Sequence, residues 1–239
     1  MSRAKKRYGQ HFLHDPGSIE RIVRAIAPAS GQRIVEIGPG RGAITRALLE
    51  TRCAGLDGLR IHLADALDVN LATLRGAGPR LRLVGNLPYN ISTPLLFRLI
   101  EQLDSIGDMH FMLQKELVAR MAAAPGGAEY GRLTVMLAPH VRVRPLFDIG
   151  AGAFFPPPKV VSTFFALEPL REPPFPLPDS AGYARVVSAA FGKRRKTLKN
   201  SLAGLLDADA IRAAGIDPTA RPETLAPEQF AALAGQMIA

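Results

Sequence analysis

The sequence has one cysteine, no tryptophan and no long apolar run. Cys53 alone cannot form an internal disulfide, which excludes a disulfide framework and fits a reducing compartment. No run approaches the roughly 18 apolar residues that span a bilayer, and no secretory signal follows the basic N-terminus. The five histidines lack metal-ligand spacing. We therefore expect a cytoplasmic protein with no membrane association and no metal site.

Positive charge, in contrast, is abundant and concentrated in two segments. The formal net charge is +9, and residues 1–7 carry four basic residues with no acid. Residues 191–200 carry five more, again with no acid: Lys193, Arg194, Arg195, Lys196 and Lys199. The remaining 21 basic residues match the 21 acidic ones. Two basic patches on an otherwise neutral chain predict a polyanionic partner.

Short apolar runs alternate with helical patterns over the first two thirds of the chain. A helix is predicted to begin at Asp15-Pro16, with one apolar face formed by Ile19, Ile22, Val23 and Ile26. A buried strand is predicted at 33–37, further strands at 59–63, 80–84 and 109–113, and further helices at 43–49, 93–103 and 115–123. This alternation is typical of an α/β fold with a mainly parallel, doubly wound sheet. Two further strands, 141–147 and 160–167, follow without a helix between them and are expected to close the sheet edge as an antiparallel pair.

The best domain boundary is the proline-rich segment 172–178. Beyond it the patterns are helical. We therefore predict a Rossmann-like domain with a basic arm over residues 1–172 and a small all-α domain over 179–239.

A glycine-rich turn, 38–42, lies between the first predicted strand and a helix. Glycines there let the backbone approach a ligand and aim helix-terminal amides at it. Many such turns hold no ligand. Gly38, Gly40 and Ala43 satisfy a dinucleotide pattern, and Glu36 followed by the three glycines also satisfies the pattern usual for S-adenosylmethionine.

The tetrapeptide Asn86-Leu87-Pro88-Tyr89 follows another predicted strand. The lone pair of an exocyclic base amine is delocalised, so alkylation needs acceptors that take the amine hydrogens and free it. An Asn oxygen and a backbone carbonyl on a proline-stiffened loop can do this, and a tyrosine offers a face for an unstacked base. A plain Asn-x-Pro turn is the simpler alternative.

At these residues the chain resembles the ribosomal RNA adenine dimethyltransferases of the KsgA (RsmA) type. The resemblance runs nearly end to end, through the segments 7–13, 35–40, 85–92, 110–116, 130–133, 154–160, 191–202 and 215–218.

The resemblance implies a Rossmann-like methyltransferase that uses S-adenosylmethionine. It implies two methyl transfers to each of two adjacent adenosines near the 3′ end of small-subunit rRNA, in an immature small ribosomal subunit. It also implies site residues. Those near the cofactor are His11, Leu13, Glu36, Gly38, Gly40, Asp65 and Asn86; those at the target amine and base are Asn86, Leu87, Pro88, Tyr89 and Phe155. His11 stands where the family more often has Asn.

One piece of the family pattern is missing. About ten residues separate Leu49 from Leu59, too few for the strand and crossover helix that the family has there, so roughly 15–20 residues are absent. No residue can be given the ribose-binding role, and Asp57 has the sequence context of a turn. Either the printed sequence omits a segment or the protein has lost it; an intact mass of 25.7 kDa would exclude the first explanation.

Residues 191–202 are predicted to form one helix carrying the five cations, a surface suited to A-form phosphates or simply a solvated face. We expect the chain to be a monomer. Two rivals remain: a methyltransferase of large-subunit rRNA, and a non-catalytic assembly factor of the small subunit. A nicotinamide oxidoreductase leaves Asn86–Tyr89 unexplained.

Overall fold

The computed structural model describes residues 11–51, 59–177, 179–193 and 195–237. The basic N-terminal arm, Asp57 and Arg194 therefore lie outside the described residues. In the part of the chain that is described, no helix is both long and apolar enough to span a bilayer.

The strands are β1 (Phe12–Leu13), β2 (Arg33–Glu36), β3 (Leu81–Asn86), β4 (Ile106–Gln114), β5 (Val141–Ile149), β6 (Phe154–Phe155) and β7 (Ser162–Pro169). The helices are α1 (Pro16–Ile26), α2 (Ala43–Thr51), α3 (Leu71–Arg75), α4 (Ser92–Ile100), α5 (Lys115–Met121), α6 (Arg132–Leu137), α7 (Ser180–Gly192), α8 (Leu198–Ser201), α9 (Ala208–Ala213) and α10 (Pro227–Gly235).

The chain divides into two units, residues 1–118 with 143–169, and residues 119–142 with 170–239. The sequence predicts residues 119–142 in the first domain. They group instead with the C-terminal residues because Tyr130 and Val135 are buried in the same apolar cluster as helices α7 and α10. The last of the three division points, after Pro169, lies close to the proline-rich boundary expected from the sequence.

The first unit is built on a five-stranded sheet of order β2-β3-β4-β7-β5. β2, β3 and β4 are parallel, and β7 runs antiparallel to β4. The predicted doubly wound α/β architecture is thus confirmed, including neighbouring β7 and β5 at one edge. Parallel pairing brings the carboxyl ends of β2 and β3 to the same edge of the sheet, where Glu36 is in register with Val84 and Asn86 lies two residues beyond.

Helix α1 begins as the sequence predicts. The Asp15 carboxylate accepts a hydrogen bond from the Ser18 amide at 2.7 Å, and Pro16 occupies the first turn. Its apolar face, with Ile22, Val23 and Ile26, is buried in a cluster with Ile44 and Leu48 of α2. The helix therefore packs against α2, directly behind the glycine turn.

A two-stranded ribbon stands apart from the main sheet. β1 pairs antiparallel with β6, with Phe12 opposite Phe155 and Leu13 opposite Phe154. His14 N adds a bond to Ala153 O at 2.9 Å. The ribbon joins residues from the two ends of the first unit, a pairing that no local pattern in the sequence predicts.

The second unit is helical over its described residues from 170 onward, as predicted. Asp179 is the N-cap of α7, and its carboxylate accepts hydrogen bonds from Ala181 N and Gly182 N. The apolar core of the second unit contains Tyr183, Val187, Leu198, Leu202 and Phe230.

Three predicted elements differ from the structure. Residues 59–63 form no strand, and Ile61 and Leu63 are 87% and 103% exposed. Strand β2 is predicted to be buried, but among the described strands it stands at the edge of the sheet, and its side chains are at most partly buried. The predicted helix over 191–202 is interrupted, because α7 ends at Gly192 and Arg195 adopts a left-handed backbone, φ 66°.

Candidate active site

A cleft of about 140 Å³ opens at the edge where β2 and β3 end. Nine of the residues expected at the site line it together: His11, Leu13, Glu36, Gly38, Gly40, Asn86, Leu87, Pro88 and Tyr89. These residues come from three separate stretches of sequence. The cleft is smaller than the roughly 300 Å³ or more usual for drug-sized ligands.

The glycine turn supplies one wall by bringing backbone close to other elements. Gly38, Gly40 and Gly42 all have positive φ, between 58° and 75°, a conformation that other residues seldom adopt. A Cβ on Gly40 would stand 3.0 Å from the Phe12 ring, and one on Gly38 would stand 3.8 Å from Asn86 O. The cleft therefore keeps its width because these positions carry no side chain.

Glu36 is the acidic side chain of the cleft. It is partly buried, and burial raises the pKa of its carboxyl above the ordinary 4.5, while a hydrogen bond from the Thr45 hydroxyl, 2.5 Å, acts in the opposite direction. Arg41 is the basic counterpart, with its guanidinium 4.7 Å from the centroid of the Phe12 ring. The cleft thus has one acidic and one basic wall, an arrangement that suits a zwitterion.

Asn86 is held in one orientation. Its Nδ2 donates to the carbonyl oxygen of His11 at 2.9 Å, which leaves Oδ1 as an acceptor on the other side of the amide. The loop after it is fixed by Leu87 N, which donates to Met112 O at 3.3 Å. Asn86, with its free acceptor oxygen, and the Leu87–Pro88 segment therefore line the cleft together.

Aromatic faces flank the same loop. The Tyr89 hydroxyl lies 3.1 Å from Ser162 Oγ, and its ring centroid lies 6.1 Å from that of His11. Phe155 does not line the cleft, but its ring is 59% exposed at the end of the β1–β6 ribbon. Its role stays a prediction.

Other predicted site residues are not among those that line the cleft. Asp65 is exposed, and its Oδ1 accepts from Leu67 N at 2.9 Å. Lys193, Arg195, Lys196 and Lys199 belong to the second unit and are all exposed, while Leu198 and Leu202 are buried beneath them. The proposed basic surface is therefore accessible even though its backbone is not one helix.

Like Arg41, two further residues were given no role from the sequence and prove important to the geometry. A Cβ on Gly85 would stand 2.4 Å from Ile37 O, so only glycine allows the ends of β2 and β3 to approach each other. Thr45 bonds Glu36 from the first turn of α2. Its position just after the glycine turn, at the start of the helix, is the only sequence signal that points to it.

Comparison with known proteins adds independent information. A family model described as Ribosomal RNA adenine dimethylase matches residues 1–54 and 57–238. Proteins named Ribosomal RNA small subunit methyltransferase A from Pseudomonas aeruginosa and Nitrosococcus oceani are each 50% identical, over 98% and 97% of this chain and 95% of their own length.

The length of these alignments bears on the missing segment. The Pseudomonas alignment spans 254 residues, whereas this chain has 239, so at least 15 aligned positions have no counterpart here. The family match breaks at residues 55–56, within the stretch where the sequence predicts the shortfall.

Two solved structures share the fold. A dimethyladenosine transferase from Plasmodium falciparum superposes with a TM-score of 0.76 at 23% identity, covering 93% of this chain and 96% of its own. The 23S rRNA methyltransferase ErmE superposes with a TM-score of 0.70 at 22% identity, covering 95% of this chain and 100% of its own. At these identities the likeness concerns architecture alone.

Proposed function

Because the chain belongs to the ribosomal RNA adenine dimethylase family, we propose that it methylates the exocyclic amines of two adjacent adenosines near the 3′ end of small-subunit (16S) rRNA. Each adenosine would receive two methyl groups. The observation that carries the proposal is the orientation of Asn86, whose Nδ2 is held by the His11 carbonyl so that Oδ1 is left to accept from a target amine.

The cleft residues fit the methionine end of S-adenosylmethionine. That end is a zwitterion, and Glu36 and Arg41 offer an acceptor for its ammonium and a cation for its carboxylate. Gly40 leaves room beside the Phe12 ring, which a Cβ would press against at 3.0 Å, and Gly38 has the positive φ that glycine favours. When bound, S-adenosylmethionine supplies an activated methyl group on a sulfonium. The resemblance also implies that Asp65 contacts the adenine amine of the cofactor; Asp65 does not line the cleft.

The chain's own groups account for activation of the target. Asn86 Oδ1 and a carbonyl of the Leu87–Pro88 segment accept the two amine hydrogens, which draws the nitrogen towards a tetrahedral shape and frees its lone pair. The Tyr89 ring stacks on the extruded base. The amine proton can leave after transfer, so no strong general base is required at the cleft.

The substrate we propose is the small-subunit rRNA of an immature ribosomal subunit. The Pseudomonas and Nitrosococcus relatives are named for the small subunit. The exposed cations Lys193, Arg195, Lys196 and Lys199 offer contacts to RNA phosphates. We propose a monomer that acts in the cytoplasm, in line with its single cysteine.

Methylation of purified small subunits that lack the modification tests the proposal. With isotope-labelled S-adenosylmethionine, label should appear at two adjacent adenosines of the small-subunit rRNA. In a parallel reaction with purified large subunits, label there and none in the small subunit would favour the large-subunit methyltransferase. Intact subunit binding with no label in either would favour the assembly factor.

The Asn86→Ala variant sharpens this assay. Losing the acceptor should lower single-turnover methyl transfer by about 100-fold or more, while binding to the small subunit, measured by co-sedimentation, stays unchanged. Unaltered transfer would remove Asn86 from the mechanism.

A further inference from the structure

His11 makes contacts on both sides of the site. Its imidazole Nδ1 donates to the carbonyl oxygen of Pro156 at 2.7 Å, and its own carbonyl oxygen accepts from Asn86 Nδ2 at 2.9 Å. Its ring centroid lies 6.1 Å from that of Tyr89. One residue therefore connects the segment that follows β6 with the loop that follows β3.

The β1–β6 ribbon is anchored on one face by Leu13 and Phe154, which are buried in the apolar cluster of α1 and α2. Each strand is two residues long, and an isolated two-stranded pairing is at best marginally stable. The ribbon carries the exposed ring of Phe155 immediately before Pro156. The side-chain bond to Pro156 O fixes the chain at the residue directly after that ring, beyond the last residue paired in the ribbon.

From these contacts we propose that the His11 side chain is a positioning residue, which holds the Phe155–Pro156 segment in place relative to Asn86 and Tyr89. This inference rests on the proposed function, since the groups it aligns are those proposed to grip the target adenine. It assigns the imidazole a role towards the target base, beyond the cofactor contact that the family resemblance implies for this position.

The chemistry of the bond defines the informative variants. A carbonyl oxygen can only accept, so Nδ1 carries the hydrogen. In asparagine, Nδ2 is attached to Cγ as Nδ1 is in histidine, so His11→Asn can keep the donor. His11→Leu removes the hydrogen-bond donor but keeps an apolar side chain at this position. The Asn86 bond involves the His11 backbone and is available in every variant.

Three measurements on the full chain test the proposal. In His11→Leu, the single-turnover rate should fall about 10- to 100-fold, the loss expected for a misplaced reacting group, with the Kd for S-adenosylmethionine changed less than about threefold. Amide hydrogen exchange at residues 154–155 should quicken. His11→Asn should restore both the rate and the protection. His14→Leu, the same change at an exposed neighbouring residue, is the matched control and should resemble the wild type.

The outcomes separate the alternatives. A rate unchanged in His11→Leu, or His11→Asn no better than His11→Leu, would overturn the proposal. A loss of cofactor affinity that accounts for the whole rate loss would also overturn it, in favour of a direct cofactor contact. If the wild type transfers no methyl group, the proposed function fails, and amide exchange alone then decides whether His11 holds the segment.

Discussion

At the scale of single residues, a partly buried acid sets the electrostatics of the cleft. Burial raises the pKa of Glu36, and the Thr45 hydroxyl offsets only part of this effect. A raised pKa means that the folded chain holds this proton more tightly than the unfolded chain does. The Glu36 contribution to stability is therefore favourable at low pH and is lost as the pH rises through the raised pKa.

Glu36→Gln should change both the thermal stability of the chain and its affinity for S-adenosylmethionine. At pH 7 the variant should have a higher Tm than the wild type, because it buries no charge, and the difference should shrink as the pH falls towards 4.5. Its affinity for S-adenosylmethionine, measured by calorimetry, should fall and lose its dependence on pH in the acidic range. Glu50→Gln, at an exposed position of α2, is the control. A lower Tm for Glu36→Gln at pH 7 would contradict the argument.

How much of the site the sequence predicts depends on how local each contact is. The glycine turn and the Asn86–Tyr89 loop are contiguous motifs, and their residue types alone indicate the chemistry that they can perform. The His11–Pro156 bond joins residues 145 apart, and the Gly85–Ile37 approach depends on strand pairing. Neither leaves a periodic pattern, so only the folded chain reveals them.

At the scale of elements, strong local signals lead to correct predictions and weak ones do not. The Asp15-Pro16 start and the apolar face of α1 locate that helix closely. Helices α3 and α6, of five and six residues, are too short to show a helical period and were not predicted. The run at 59–63 alternates as a strand does, but among the described strands none pairs with it.

The cation-rich stretch shows how tertiary contacts override helix propensity. Leu198 N bonds Ala220 O at 2.9 Å, and Lys199 N bonds Pro218 O at 3.0 Å. These bonds tie the start of α8 to a neighbouring turn. The backbone bends at Arg195 to reach them, so a sequence that favours one continuous helix forms two.

Helix α7 offers a stability prediction at this scale. The Tyr183 hydroxyl donates to Val135 O at 2.8 Å from a buried ring, which joins α7 to α6, and burial raises the pKa of this phenol. Tyr183→Phe keeps the ring and leaves the carbonyl unpaired, so the free energy of unfolding should fall by about 1–3 kcal/mol in urea titrations. Tyr89→Phe, which removes a hydroxyl that is only part-buried, is the matched control and should cost less. An equal or larger loss for Tyr89→Phe would count against this account.

At the scale of the whole molecule, chemistry and charge belong to different units. The cleft lies in the first unit, and the described part of the basic patch lies in the second. Each unit has its own apolar core. The proline-rich segment 172–178 predicts a boundary between two domains. The sequence does not show, however, that residues 119–142 belong to the second unit.

Charge reversal should separate RNA binding from cofactor binding. Lys193, Lys196 and Lys199, each changed to Glu, should weaken binding to the small subunit and reduce the slope of log K against log salt by about 0.7–0.9 for each lost phosphate contact. The Kd for S-adenosylmethionine should be unaffected. Reversing Arg171, Arg185 and Arg221 gives the same change in net charge at other exposed positions of the second unit. If both triple variants lose affinity equally, net charge rather than the patch governs binding.

Within the part of the chain that the structure describes, β2 is an edge strand, and this has a practical consequence for the protein in solution. Among the described strands only β3 pairs with it, and an unpaired strand edge is a template on which further chains can add. Nearby in sequence, Leu59, Ile61 and Leu63 expose apolar side chains. β2 is short and begins with a charged Arg33, which limits such growth without preventing it. We therefore expect the purified chain to stay clear in dilute solution. On concentration or warming, light scattering should rise below the temperature at which either apolar core unfolds.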